Sequence, residues 1–488
     1  MVRFPIQERH QKPPKLRSIK GMATPIKFKL DRSAKTPLAE QIRKGIITAV
    51  DKGTLLPGAR MPSWRDLAVQ LGVARGTVRI AYERLVDAQI IASSRSGTYV
   101  LKRPSRGKQP DISPLPPSFV ELYQDFSANP AIFQMGVPAP DYFPAKLMAR
   151  IRARAVRAEA SAPPTYPDPR GEPELRREIA AHLAIARGLD CSPSQVIITS
   201  GFAGALGLAL RVLGLEGRTA WMEEPGFPPT RRGLEIARLT PVPIPVDIDG
   251  IDVDNGLQYA PNAALAVVTP GQQAPLGSTL SPSRRIRLLD WAAQTGAWII
   301  EDDYLSELQL TGRAAPALAS LDGAGRVVHI GTFSKTISPA LRLGFLVAPP
   351  SLVTDLVEAA AALAPAPGPS TQLATAEFMR DGHYMRHLRR MKRLYAGRRE
   401  TLSSCLKARG YETLAAGLAV LLKLPECVSD TVVAREALAY GLAPAPLSPW
   451  YMAPRPSTSG LLLGVATLPE QRLTASSDRL CDIVEALA

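Results

Sequence analysis

The sequence predicts a multidomain protein: a small α+β unit of short helices closed by a hairpin, joined to a large α/β domain with a large and a small lobe. Three observations predict it. Positive charge is segregated, since residues 1–108 hold 23 lysines and arginines against 7 acidic residues, while the other 380 hold 36 against 37. A Pro-rich, locally basic stretch, LKRPSRGKQPDISPLPP, then separates that region from the rest as a stiff linker. Beyond it, β-branched strands alternate with amphipathic helices, the rhythm of a mixed and mostly parallel sheet whose sites lie at strand C-termini. Composition agrees, because 488 residues with 45% hydrophobic and 21% charged is an ordinary globular mix.

Residues 1–36 scatter Lys and Arg among Pro5, Pro13, Pro14 and Pro25 with no hydrophobic period, which predicts a basic, disordered arm. Structure is expected to begin at Pro37, where Leu38, Ile42, Ile46 and Val50 stand at helical spacing up to Gly53. After LLPGARMP turns the chain, Ser63 caps a second helix, WRDLAVQLG. Gly72 and Val73 turn again, and ARGTVRIAYERLVDA sets Val78, Ala81, Tyr82 and Leu85 on one face. Two short helices about a glycine turn make a helix-turn-helix, and IIASSRSGTYVL, alternating about Ser96 and Gly97, makes a wing, so the unit spans 37–101 and the linker 102–118.

Basic charge confined to such a unit is the footprint of a polyanion binder. Arg75 opens the second helix of the motif and Arg79 follows one turn later, a face that can enter a major groove where arginine reads guanine. Arg95, beside the wing tip, can reach phosphate or the minor groove. The run PSWR, LGVAR, TV, AYERL and SGTYV resembles the GntR winged helix, and the resemblance implies that Arg65, Arg75, Thr77 and Arg79 contact double-stranded DNA. RNA binding by a metabolic enzyme would call for aromatic stacking platforms in the basic unit, and none is visible there.

The large lobe is expected over 119–370. In it PDPRGEPELRREIAAHLAIARG reads as a Gly/Pro turn and a long helix, and the strand QVIITSG runs into the helix GFAGALGLALRVLG. A glycine-opened helix after a strand presents backbone N–H groups to an anion, so Gly201, Phe202 and Ala203 form a candidate phosphate cradle. AWMEEPGFPP, VPIPVDI, AALAVVTPG, RIRLLDWAAQTG and AWIIEDDY continue the alternation. Residues 371–488, with the basic helix YMRHLRRMKRLYAGRRETL and the strands LAVLLKLP and GLLLGVATL, make the small lobe.

The chemistry gathers at HIGTFSKTISPALRLGFLVAPP. A buried strand delivers Lys335 into a loop of small and hydroxylic residues, with Thr332, Ser334 and Arg342 close by, and the strand WIIEDDYLSE ends in Asp302, Asp303 and Tyr304. That is the toolkit for pyridoxal 5′-phosphate (PLP), which needs a Schiff-base lysine, a carboxylate for its ring nitrogen and donors for its phosphate. These segments, with YPDPRGEPELRREIAAHL, resemble the aminotransferase-like domain of the MocR/GabR group of GntR-type regulators, nearly end to end from Pro37. The resemblance implies a fold-type I domain in which Lys335 carries the internal aldimine with PLP, Asp302 or its neighbour Asp303 holds the pyridine nitrogen, Tyr304 the 3-hydroxyl, and Thr332, Ser334 and Arg342 the phosphate. Phe227 falls where relatives stack an aromatic on the cofactor ring.

Three departures bear on activity. In TPGQQAPLG, Ala274 stands where aminotransferases usually have Asn, leaving Tyr304, Gln272 or Gln273 for the cofactor hydroxyl. Ala203 and Gly204 replace glutamines common in relatives. The C-terminal strand LLLGVA lacks the arginine that clamps a substrate carboxylate, with Arg231, Arg232 and Arg455 the available substitutes. The reading is therefore a PLP-dependent transcription regulator sensing a small amine, amino acid or B6 vitamer, a homodimer on paired DNA half-sites. The alternative is an active aminotransferase carrying a DNA-binding domain.

No run of 18 uncharged apolar residues exists and MVRFPIQERHQK has no apolar signal core, so a cytoplasmic protein, neither secreted nor membrane-spanning, is expected. Cys191, Cys405, Cys427 and Cys481 are scattered without a CxxC, which argues against a metal site and a disulfide framework.

Overall fold

The computed structural model describes residues 29–94, 97–101, 131–452 and 459–488. The chain divides into two compact units, the first ending at Pro116 and the second starting at Pro117. In the first, helices α1 (Leu38–Asp51), α2 (Trp64–Leu71) and α3 (Arg75–Asp87) close around Ile42, Ile46, Leu67, Val78 and Leu85, none of which keeps exposed surface. These are the positions that helical spacing selects. Ser63 caps α2 by accepting from Asp66 N at 3.1 Å. Gly72 ends it in the left-handed region (φ 61°), which turns the chain into α3. Strands β1 (Ile91–Ser94) and β2 (Gly97–Val100) pair antiparallel with Ser94 opposite Gly97, forming the wing.

Upstream of α1, Asp31 N donates to Gln41 Oε1 (2.9 Å) and Arg32 Nη2 to Gly72 O (2.7 Å), so the end of the expected 1–36 arm touches the folded unit. The rest of that arm, through residue 28, the 102–118 linker and Arg95 at the wing tip lie outside the described residues.

The second unit is built on an eight-stranded sheet in the order β3-β10-β9-β8-β7-β4-β5-β6. Its strands are β3 (Val196–Thr199), β4 (Thr219–Glu224), β5 (Thr240–Asp247), β6 (Gly250–Ile251), β7 (Leu265–Val268), β8 (Trp298–Asp303), β9 (Val327–Thr332) and β10 (Gly344–Val347). The five strands β5, β4, β7, β8 and β9 are mutually parallel, and β10 runs antiparallel between β9 and β3. Both faces are covered by the helices α4 (Ala145–Ser161), α5 (Pro173–Arg187), α6 (Phe202–Leu213), α7 (Pro228–Ile236), α8 (Val253–Tyr259), α9 (Pro282–Thr295), α10 (Val353–Leu363) and α11 (Pro369–Arg380). Alternation along β8 shows why: Ile299 joins one apolar core and Ile300 another, so the strands must be apolar on both sides.

The small lobe is an antiparallel sheet, β11 (Thr413–Ala416), β12 (Ala419–Lys423), β14 (Gly460–Gly464) and β13 (Ala445–Pro446), with helices α12 (His383–Ala408), α13 (Asp430–Leu438) and α14 (Leu473–Ala486). The basic helix α12 buries Tyr384, His387, Leu388, Met391, Tyr395, Leu402 and Leu406 on one stripe together with Arg398, which donates to Ala466 O at 2.7 Å, and its other arginines occupy the remainder of a packed helix. Among the described residues no helix is long and apolar enough to cross a membrane.

Candidate functional site

Strands β8 and β9 end side by side, with Asp302 opposite Ile330 and Asp303 opposite Gly331. Successive side chains of a strand point to opposite faces, so the two adjacent aspartates part company. Asp303 goes to a buried ion pair with Arg187 Nε of α5 (2.7 Å), and His329 lies 3.8 Å from the same carboxylate while its other nitrogen meets Glu301 at 3.0 Å. Asp302 goes the other way. Its Oδ1 is buried without a hydrogen-bond partner among the described residues. Burial, then Asp303 and Glu223, push this carboxyl well above the usual range, and Lys335 draws it back.

Lys335 follows β9 and donates from Nζ to Gly136 O at 2.8 Å. Burial holds its amine below the ordinary lysine range, with Asp302 acting against the shift. A side chain at Gly136 is impossible here, because a Cβ would stand 2.6 Å from Nζ and φ is +76°. Tyr304 shares the surroundings, its phenol pushed up by burial and then by Asp302 and Glu223.

At the other end of the cleft, β10 brings two segments together, since Gly344 pairs with Thr332 on one side and Thr199 on the other. Gly201 (φ +81°) opens α6 there, so the backbone N–H groups that begin with Phe202 and Ala203 have no partners within the helix. Arg342, itself left-handed (φ 48°), donates to Ser200 O at 3.2 Å, and its guanidinium carbon lies 3.8 Å from where a Cβ on Gly201 would be. Thr332 and Ser334 hydroxyls sit 3.1 Å apart at the same end. The set supplies an amine, a buried acid lacking a donor among the described residues, and a group of anion donors, which matches the chemistry of PLP.

Glu223, Thr269 and Trp450, not singled out by the sequence, join Gln272, Gln273 and Phe227 around the cleft. Glu223, fully buried and pushed up to about 7 by burial, accepts from Thr269 N (3.0 Å), Thr269 Oγ1 (2.5 Å) and Gln273 Nε2 (3.3 Å). Gln273 also donates to Pro225 O and Ala274 O, so it serves the loop, whereas Gln272 Nε2 is buried without a partner among the described residues. Trp450 of the small lobe lies 5.7 Å from the Phe227 ring, which is 6.2 Å from Phe202. A backbone bond from Gly226 N to Trp450 O (3.0 Å) and one from Met452 N to the Glu224 carboxylate (Oε1, 2.7 Å) tie the two lobes at that wall. The signal for Gly136 was a lone glycine in the apolar run FQMGVP, with nothing local to relate it to a lysine 199 residues away.

Leu461, Leu462 and Leu463 of β14 are wholly buried in apolar clusters. Arg231 donates to Tyr451 O at 3.2 Å, Arg232 pairs with Glu235 at 2.9 Å, and Arg455 lies outside the described residues.

In the first unit Arg75 is the first residue of α3 and Arg79 lies one turn on, both exposed, the latter 3.4 Å from Glu83. Thr77 lies half-buried between them, and the Arg65 guanidinium stacks on Trp64 at 4.9 Å.

Comparisons with known proteins agree with both halves. Residues 38–100 match the model of bacterial regulatory proteins of the gntR family, and residues 132–438 match that of class I and II aminotransferases. The chain is 34% identical to the probable rhizopine catabolism regulatory protein MocR of Rhizobium meliloti, over 90% of this chain and 92% of that protein. It is 36% identical to the pyridoxine biosynthesis transcriptional regulator PdxR of Corynebacterium glutamicum, over 77% and 79%. Among solved structures, the α-aminoadipate aminotransferase LysN of Thermus thermophilus, complexed with N-(5′-phosphopyridoxyl)-L-leucine, matches with TM-score 0.67 and 26% identity over 74% of this chain and 93% of that one. A gntR-type DNA-binding domain and an aminotransferase domain in one chain, with relatives alike over nearly its whole length, mean that the chain belongs to the MocR/GabR subfamily of GntR-type transcriptional regulators.

Proposed function

We propose that this PLP-dependent, DNA-binding regulator senses a small amine, amino acid or B6 vitamer at the Lys335 cleft. Occupancy of the cleft then sets how a homodimer in the cytoplasm holds paired half-sites. The observation that carries the reading is the pair of Lys335, an amine less basic than an ordinary lysine, and the buried Asp302, a carboxyl whose Oδ1 has no donor among the described residues. Asp302, with Asp303 already committed to Arg187, then faces the pyridine nitrogen. Tyr304 serves the 3-hydroxyl, the N–H groups at Gly201, Phe202 and Ala203 with Thr332, Ser334 and Arg342 hold the phosphate, and Phe227 stacks on the ring. Arg65, Arg75, Thr77, Arg79 and Arg95 contact DNA.

When bound, PLP supplies an aldehyde that condenses with amines and a ring that withdraws electrons from the bonds at the amine carbon. The chain's residues do the rest. Lys335, weakly protonated for a lysine, would hold the cofactor through its amine and, when that amine is free, could carry a proton to or from a neighbouring carbon. Asp302 holds the proton at the ring nitrogen, and Phe227 with Trp450 shields one side of the cleft from water.

Turnover asks for more. Proton removal requires the Cα–H bond to be held perpendicular to the ring, and a bidentate clamp on the carboxylate fixes that angle. Leu461–Leu463 cannot make one, and Arg231 and Arg232 are engaged elsewhere. Loose positioning costs roughly a hundredfold in rate. Binding without turnover suits a sensor, because the ligand stays long enough to shift a population.

The enzyme reading is favoured by the solved relatives of the large unit, which include working aminotransferases. Purified protein given PLP should absorb in the visible, and Lys335→Ala should abolish the band. The right amine should then change the spectrum with negligible keto-acid production. Multiple turnover at about 1 per second or faster with a standard amino donor and 2-oxoglutarate would make it an enzyme. A wild-type protein that stays colourless in excess PLP would remove the cofactor reading.

A further inference from the structure

The residue that follows Lys335 is held from the small lobe. Thr336 is 2% exposed, and its carbonyl and hydroxyl both meet the first turns of α12. His387 Nε2 lies 2.9 Å from Thr336 O, and the Tyr384 and Thr336 hydroxyls are 3.2 Å apart. Tyr384 Oη is also bonded to one oxygen of Glu307, whose other oxygen meets His182 Nε2 of α5.

Proton counting orients this chain. A carbonyl only accepts, so His387 donates from Nε2. An ionised Glu307 only accepts, so it takes protons from His182 and Tyr384, and the single Tyr384 proton is then spent. Thr336 must therefore donate to Tyr384 Oη. With Glu307 ionised, each member has one role. Burial, and then Glu307, push the Tyr384 phenol well above its usual range, so its proton is retained.

The same tyrosine touches the lysine loop on its other side. Its ring packs edge-on against Phe333 at 5.9 Å, two residues before Lys335. Lys335 thus leaves a peptide gripped before and after by one side chain. Glu307, in turn, sits five residues beyond Asp302 on the segment leaving β8. The network consequently ties the positions of the acid and the amine to each other and to the small lobe. Packing alone does not call for this, since apolar side chains of similar volume fill a core as well as buried polar groups or better.

We propose that Tyr384 and His387 are positioning residues for Lys335, fixing from helix α12 the direction in which its amine leaves the loop and so coupling Lys335 to the small lobe. The proposal rests on the assignment of Lys335 as the cofactor lysine, and its test separates the two.

In cofactor-free, full-length protein, acetylation of Lys335 by acetic anhydride is followed by mass spectrometry at several pH values. With PLP added, the pH midpoint of the visible band and the rate of cofactor loss are measured. Tyr384→Phe and His387→Leu should each change the Lys335 labelling rate and speed cofactor loss about tenfold, the equivalent of one hydrogen bond to a charged or well-ordered partner. His387→Gln, which keeps a donor near the Nε2 position, should restore wild-type behaviour. Labelling and release within twofold of wild type in both variants overturn the proposal. So does failure of His387→Gln to rescue, or a loss that merely tracks a lower melting temperature of the cofactor-free protein. If the wild type binds no cofactor, the labelling arm still decides on Tyr384 and His387, and only the cofactor assignment falls.

Discussion

The DNA-reading helix and the Lys335 cleft use charge in opposite ways. On α3 the arginines stand in water, Arg79 and Arg84 beside Glu83 and Glu40, where a cation costs little and stays available for a phosphate or a base. At the ends of β8 and β9, Asp302, Glu223 and Lys335 gather on the cleft side while Asp303, Glu301, Arg187 and His329 are buried on the other, where an unmatched charge is expensive. The first region can therefore be written in one short stretch of chain. The second must borrow partners from α5, the loop after β7, and the segment around Gly136, because only the folded chain can supply enough compensation. Function at a surface is local in sequence, and function in an interior is not.

The sharpest way to break that contrast is to remove one partner from each region. Arg187→Ala removes the guanidinium 2.7 Å from the buried Asp303 carboxylate, and should destabilise the second unit by about 3–5 kcal/mol. Arg84→Ala, which removes an exposed partner 3.6 Å from Glu40, should cost less than about 1 kcal/mol. Urea unfolding can report the units separately, since Trp64 is the one tryptophan of the first unit while Trp221, Trp291, Trp298 and Trp450 belong to the second. Equal costs would mean that the interior pair is compensated as cheaply as a surface one.

The contrast also explains what could be read in advance. Ser63, Gly72 and the stripe Val78, Ala81, Tyr82 and Leu85 fix the helix-turn-helix through contacts a few residues apart, so spacing suffices. The lysine loop and the acidic strand end were legible as residue types. The choice between Asp302 and Asp303 was not, because period-2 alternation says that they diverge but not which face holds Lys335 and which holds Arg187, 116 residues away in the chain. Gly136, Glu223 and Tyr384 were invisible for the same reason: each acts on a residue far away in sequence. Gln272 and Gln273 were equivalent on paper until the loop committed Gln273 to Glu223 and two carbonyls.

A second test sharpens the interior side through pH. Glu223 titrates at about 7 in the folded chain against an ordinary 4.5, raised mainly by burial. Below 4.5 both states hold the proton; between 4.5 and about 7 only the unfolded chain releases it, so stability should fall as pH rises and level off above 7. The drop amounts to roughly 3 kcal/mol. In cofactor-free protein, Glu223→Gln should flatten that part of the stability curve. Parallel curves for the two proteins across this window would show that Glu223 ionises like a surface carboxylate, and the interior would be less demanding than its geometry implies.

The smallest effect is the most diagnostic for the surface side. Arg75 occupies the first position of α3, where the helix dipole presents positive charge, and Ala74 before it provides no side-chain cap. A cation there is mildly unfavourable for the helix, so its presence has no explanation in stability. Arg75→Ala should leave the melting temperature unchanged or slightly raised. On DNA, if the guanidinium reads a base, the variant should lose about 1–3 kcal/mol on the protein's own promoter and little on random sequence. If it contacts phosphate instead, both DNAs lose affinity alike and the salt slope of binding drops by about one. Binding of the full-length protein to both DNAs at several salt concentrations separates these outcomes. A variant that melts several degrees lower while binding normally would reverse the assignment, making Arg75 a structural residue and removing the cleanest case of surface charge kept for a partner.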